Sequence, residues 1–183
     1  MGRKSFGRNT VLSVCLLFST DTSQMMAANM RSFIEAVRRK AAIVYVGSVK
    51  EVRLLERTKF DIKARALVSV LAVMRGSDTN AREATIDYSS YDDTTPMLAG
   101  GPQYRLEPGL KVVIFASSFK SSIPPGYLIQ GSREELLQRV EALRESLRQM
   151  SPDKLRLNEI SEEDRRVQLQ LYEKLSGYLR SSK

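Results

Sequence analysis

Ala41-Ala42-Ile43-Val44-Tyr45-Val46-Gly47-Ser48-Val49-Lys50-Glu51-Val52 is the stretch on which the fold of this chain turns. Its β-branched residues fit a pleated, half-buried surface and lose rotamer freedom in a helix. A glycine inside such a run marks a bulge, a bend or a close backbone approach, so the first strand is expected to bend at Gly47. A second extended run, Phe60 to Met74, alternates Ile62, Ala64, Ala66, Val68 and Val70 with more polar neighbours. It ends at Arg75-Gly76-Ser77-Asp78, a turn signal.

Working outward toward the C-terminus, Glu83-Ala84-Thr85-Ile86-Asp87-Tyr88 reads as a third strand. A long loop containing Asp92, Asp93, Pro96, Gly100, Gly101 and Pro102 separates it from a fourth, Tyr104-Arg105-Leu106. Pro108-Gly109 marks a turn into a fifth, Lys111 to Phe115, and Tyr127-Leu128-Ile129 offers a last short strand. Five strands with bends and one long loop fit a small closed barrel better than a sandwich, which needs about seven. Beyond Pro124-Pro125-Gly126, Ser132 and Glu135 form a capping box. Leu136, Val140, Leu143, Leu147 and Met150 then step along one helical face. Ser151-Pro152 ends or kinks that helix, and Ser161 with Asp164 starts another whose stripe is Val167, Leu171, Leu175 and Tyr178, with Leu179 beside it.

On the N-terminal side, Asn29 caps a short helix with Met30, Phe33, Ile34 and Val37 on one face. Before it stand Arg3, Lys4 and Arg8, then the apolar run Val11 to Phe18, then Met25-Met26-Ala27-Ala28. A basic start, a short apolar core and a small-residue exit describe a secretory signal peptide over residues 1–28. That apolar run is far short of the ~20 residues that span a bilayer, and no transmembrane helix is expected. The expected organisation is therefore a signal peptide at 1–28, a short helix plus barrel at 29–131, and a two-helix tail at 132–183. Without 1–28 the chain carries 26 basic and 20 acidic residues and no Cys, so it would fold without disulfides.

Composition narrows the chemistry. The 183 residues carry a net charge of +8, contain no His and no Trp, and have one Cys, at position 15. Lack of His removes Ser-His-Asp and Cys-His nucleophile systems, and zinc loses its preferred ligands. Carboxylate or Ser–Lys chemistry remains open to an enzyme, but the expectation is a non-enzymatic protein with no catalytic residues, no metal and no cofactor. Asp87, Asp92 and Asp93 with Thr94 offer oxygen ligands to a hard cation, yet their spacing matches no calcium loop and suits a solvated turn. Tyr88, Tyr91, Tyr104 and Tyr127, with Arg53, Arg57, Lys59, Lys63 and Arg65, would make a stacking and phosphate-tracking surface if they shared a face. Strand alternation argues against that, and nucleic acid is not the expected partner.

Three segments together resemble netrin-like domains. Ala42-Ile43-Val44-Tyr45-Val46-Gly47-Ser48-Val49 is similar to their opening strand, and Val70-Leu71-Ala72-Val73-Met74-Arg75-Gly76 to the close of their second. Leu106-Glu107-Pro108-Gly109-Leu110-Lys111-Val112-Val113-Ile114-Phe115 resembles their late strand. The likeness covers residues 41–120 and implies an OB-type barrel, the fold shared with tissue inhibitors of metalloproteinases, in a cysteine-free bacterial form. Pro102 and Gln103 stand near where those domains carry a Cys-Gly pair. Inhibition through a terminal Cys that grips zinc is not inherited, because no Cys follows position 15. The expected fold is mainly β with helices, a five-stranded OB-type barrel followed by two amphipathic helices. The chain would be exported to a periplasmic or extracellular space, and be a monomer that binds a protein or envelope component of unknown identity.

Overall fold

A computed structural model describes residues 34–58, 61–91, 104–123 and 127–181. The expected signal peptide and helix cap lie outside them, as do Lys59, Asp92, Asp93 and Thr94. Helix α1 is described over residues 34–40. Strands β1 (Ile43–Arg57) and β2 (Asp61–Arg75) pair antiparallel over their whole length. They are followed by β3 (Glu83–Tyr91), β4 (Lys111–Ala116), β5 (Lys120–Ile123) and β6 (Leu128–Gly131). The sheet order is β5-β3-β2-β1-β4-β6, with β3 and β5 parallel and every other pair antiparallel.

That order forces curvature. Ala116 and Lys120 are joined by three residues, Ser117 to Phe119, a link that reaches about 14 Å at most. In a flat sheet β4 and β5 would stand four strand spacings apart, about 19 Å. The sheet therefore curls into a half-barrel, with β5 and β6 at its two margins. Gly47 permits part of this bend. The β1–β2 register slips between Val46 and Gly47. A side chain there would overlap the Val68 methyl and stand 2.9 Å from the Ser69 carbonyl oxygen.

Curling gives the sheet two buried faces. The concave face encloses Tyr45, Val49, Ala66, Val68, Ile86, Ile114 and their neighbours. The convex face sets Val44, Val46, Val113, Phe115 and Ile129 against the helices α2 (Arg133–Arg148), α3 (Pro152–Leu157) and α4 (Glu162–Ser181). Burial on both faces explains why Ile43 to Val49 reads as a nearly continuous apolar run. The Ser132–Glu135 capping box starts α2: the Glu135 N–H donates to Ser132 Oγ (3.2 Å) and the Ser132 N–H to Glu135 Oε2 (2.7 Å). Leu136, Val140 and Leu147 of α2 are buried, and Leu143 is half-buried.

The mixed β-and-helix character stands as expected, and four details differ. The described residues contain six strands rather than five, and these form an open curl rather than a closed barrel. Tyr104-Arg105-Leu106 is not a strand. Tyr104 and Leu106 are buried as their alternation suggests, but the Arg105 N–H donates to Gln130 Oε1 (3.1 Å) instead of joining a ladder. Three helices follow the sheet rather than two, because Ser151 caps α3 with Pro152 in its first turn. Proline suits that position, where its missing N–H costs nothing. Finally, the buried stripe of α4 is rotated from the expected one. Val167 is exposed, whereas Gln168, Leu171, Tyr172, Leu175, Ser176 and Leu179 are buried.

Candidate functional site

Among the described side chains, the tyrosines and cations singled out in the sequence do not share a surface. Tyr88 and Tyr104 lie inside the half-barrel, edge to face with ring centres 6.4 Å apart. Tyr127 packs at the margin of the same core. Arg53, Lys63 and Arg65 point outward, and each meets a carboxylate: Glu51 at 2.6 Å, Glu56 at 2.7 Å and Asp87 at 2.6 Å. Asp87 accepts two hydrogen bonds from the Arg65 guanidinium, which hold its carboxyl below the ordinary carboxylate range. It thus serves a cross-strand ion pair. Among the described residues no group of three or more Asp, Glu, His or Cys is placed to hold a metal. Nor is any described helix long and apolar enough to cross a membrane.

A buried polar cluster joins α1, the end of β2 and α4. The Tyr172 hydroxyl donates to Glu35 (3.2 Å), and Glu35 pairs with Arg38 (3.2 Å). The Arg38 guanidinium lies 5.5 Å from the centre of the Phe115 ring, a cation–π contact. Arg75 donates to the carbonyls of Arg39 and Ala41 and to Gln168 Oε1 (3.0 Å). Burial, and the neighbouring Glu35 carboxylate, push the Tyr172 hydroxyl well above its ordinary pKa. Neither described cleft is lined by these residues. Their geometry is that of a clamp fixing two helices to the sheet. The larger cleft, about 340 Å³, lies between the convex face and the helix ends, lined by Val46, Ser48, Leu71, Lys111, Arg133, Tyr178 and Leu179. Arg133 is committed there, donating to the Leu179 and Arg180 carbonyls (2.6 and 2.8 Å) at the end of α4.

The second half of β1 presents two adjacent large apolar side chains, Leu54 and Leu55, to solvent. Ile43 to Ser48 is flanked by β2 on one side and β4 on the other. Backbone bonds from Val49 to Leu110 and Gly109 (2.9 and 2.8 Å) close that flank. Beyond Val49, no strand among the described residues pairs with β1 on the β4 side, so among those residues Glu51–Glu56 lies at a sheet edge. The register skips Lys50 and Leu55, each making a bulge. Skipping Leu55 pairs Arg53 with Arg65 and Glu56 with Lys63. Arg53 and Glu56 therefore face the same side, although unbulged alternation would oppose them. Leu54 faces Ala64 on the concave side, yet it is 58% exposed, and Leu55 is 51% exposed. Sequence reading ends the strand at Val52. The Leu-Leu pair between charges carries no alternation signal, because the bulge breaks the period there.

No family model matches the chain, and no curated protein matches it in sequence.

Proposed function

We propose that this is an exported, non-enzymatic protein-binding module of OB-type, netrin-like architecture, and that it engages its partner through the open edge of β1. The observation that carries this reading is the pair Leu54 and Leu55, more than half exposed on a strand edge beyond the last residues paired with β4. An edge offers unpaired N–H and C=O groups, and a partner strand gains affinity from those bonds and specificity from the side chains beside them. Exposed leucines add apolar area that water solvates poorly. The barrel assignment is supported by the β1-β2-β3 meander, by β4 beside β1, and by the parallel β3–β5 pair that bends the ends of the sheet toward each other. Export is supported by the basic-then-apolar start and the small residues before Asn29.

The test is comparative capture from the native envelope, using the wild-type chain and a Leu54→Ser/Leu55→Ser variant on parallel supports. A defined polypeptide retained by the first and lost by the second is the expected result. An identical set of bound proteins would rule the β1 edge out. Intact-mass measurement on protein from the native cell should show loss of roughly the first 20–30 residues. A full-length chain in the cytosolic fraction would reject export.

A further inference from the structure

Read antiparallel to itself, Arg53-Leu54-Leu55-Glu56 is its own complement. Arg53 meets Glu56, Leu54 meets Leu55, and the same two pairings recur on the other side of the two-fold axis. We propose that the β1 edge pairs with the β1 edge of a second copy of this chain, forming a two-fold dimer with a continuous sheet. The inference rests on the reading of that edge as the binding surface, and names its partner.

The bulge makes the register possible. In a continuous two-fold sheet, facing residues of the two strands must lie on the same face. Residues three apart on a regular strand do not, since side chains alternate. Here the skipped Leu55 places Arg53 and Glu56 on one face, that of Arg65 and Lys63. Both charges remain accessible: the Arg53 and Glu56 side chains are 72% and 52% exposed. Their present partners, Glu51 and Lys63, lie within the same hairpin and are themselves solvent-exposed, so an intermolecular exchange of ion pairs has little energetic cost. A second copy of this chain brings the complementary charge pattern already written into its own edge. A one-strand interface is small, so the dimer is expected to be weak and reversible.

Charge swaps test this directly. Sedimentation velocity on the full chain, over roughly 1–500 μM, brackets a weak interface of this size. The wild type should show a monomer–dimer equilibrium. Arg53→Glu alone sets Glu against Glu twice, and Glu56→Arg alone sets Arg against Arg twice. Each should weaken dimerisation about tenfold or more. Arg53→Glu/Glu56→Arg in one chain should restore it. Mixing the two single variants should produce a heterodimer, because every facing pair is then opposite in sign. These substitutions lie on exposed positions, and circular dichroism checks that each variant is folded. A wild type that stays monomeric throughout the range overturns the proposal, as does a double swap that fails to recover dimerisation. If a monomeric wild type still captures a protein that the Leu54→Ser/Leu55→Ser variant loses, the edge remains the binding surface and a different protein is the partner. If dimers persist unweakened in both single charge variants, the contact lies elsewhere and this proposal falls.

Discussion

One strand is used in two ways. The first half of β1, Ile43 to Val49, lies between two other strands and between two cores, with Val44 and Tyr45 fully buried. The second half, Glu51 to Arg57, has β2 on one side and no other strand among the described residues on the other, and all but Val52 is exposed. Both halves are apolar enough to be strand, and the register with β2 slips along both. The difference lies in what neighbours them, because β4 is only six residues long and stops beside Ser48. A strand's burial is thus set by the length of its neighbour as much as by its own sequence. Burial concentrates in the first half, and the second is where the proposed recognition would take place.

The most severe way to break that contrast is truncation after Gly131. Val44, Val46, Val113, Phe115 and Ile129 would lose the helices that cover them. Loss of cooperative folding or of solubility is expected, read by thermal melting and centrifugation. A truncated chain that melts like the whole would show the concave core to be self-sufficient. Next comes Gly47→Val. Its side chain has no room between Val68 and the Ser69 carbonyl, and overpacking together with backbone displacement should cost about 3 kcal/mol. An unchanged denaturant midpoint would mean that the first half of β1 yields as readily as the second.

Acid should act more gently. Asp87 is held below its ordinary pKa by hydrogen bonds from Arg65, and Asp164 by hydrogen bonds from Ser161. Such a carboxylate binds fewer protons folded than unfolded. Its contribution is present above the unfolded value, about 3.9, and is lost as pH falls through the lower folded value. For the exposed Arg65–Asp87 pair, Asp87→Asn should cost less than about 1 kcal/mol near neutral pH, with the difference vanishing in acid. Denaturant midpoints measured from near-neutral to strongly acidic conditions check this, and a difference that grows toward acid would contradict it. The smallest effect belongs to Leu54→Ser/Leu55→Ser. Stability should move by less than about 0.5 kcal/mol, because exposed side chains away from special features contribute little. A larger loss would place those leucines in the fold and not at the binding edge.

Much of this architecture is legible in the residues. Ile43 to Val49, the Ser132–Glu135 box and Gly47 carry their structural reasons locally, in branching, spacing and a missing side chain. The rest is decided by context. Lys120-Ser121-Ser122-Ile123 has no apolar alternation, and is held as a strand by β3 at the margin of the curl. Tyr104 and Leu106 advertise burial faithfully, but burial does not require a ladder. Ser151-Pro152 is at once a stop for one helix and a start for the next, and reading it as a stop alone passes over the cap and first-position proline of α3. Residue type groups Tyr88 and Tyr104 with the cations, and alternation across the sheet separates them. Leu54 and Leu55 escape a pattern-based reading because a bulge erases the two-residue period on which it depends.

The clamp between Tyr172 and Glu35 joins residues 137 positions apart, so it cannot form until Tyr172 has been made. The β1–β2 hairpin needs nothing beyond Arg75, and its pairing can begin long before. Until α2 and then α4 are made, Val44 and Val46 belong to a finished hairpin whose convex side lacks its full cover. Incompletely folded chains with such exposed surface are prone to aggregate. The order of synthesis thus opens a vulnerable interval of roughly a hundred residues between Arg75 and Tyr172, which α4 closes.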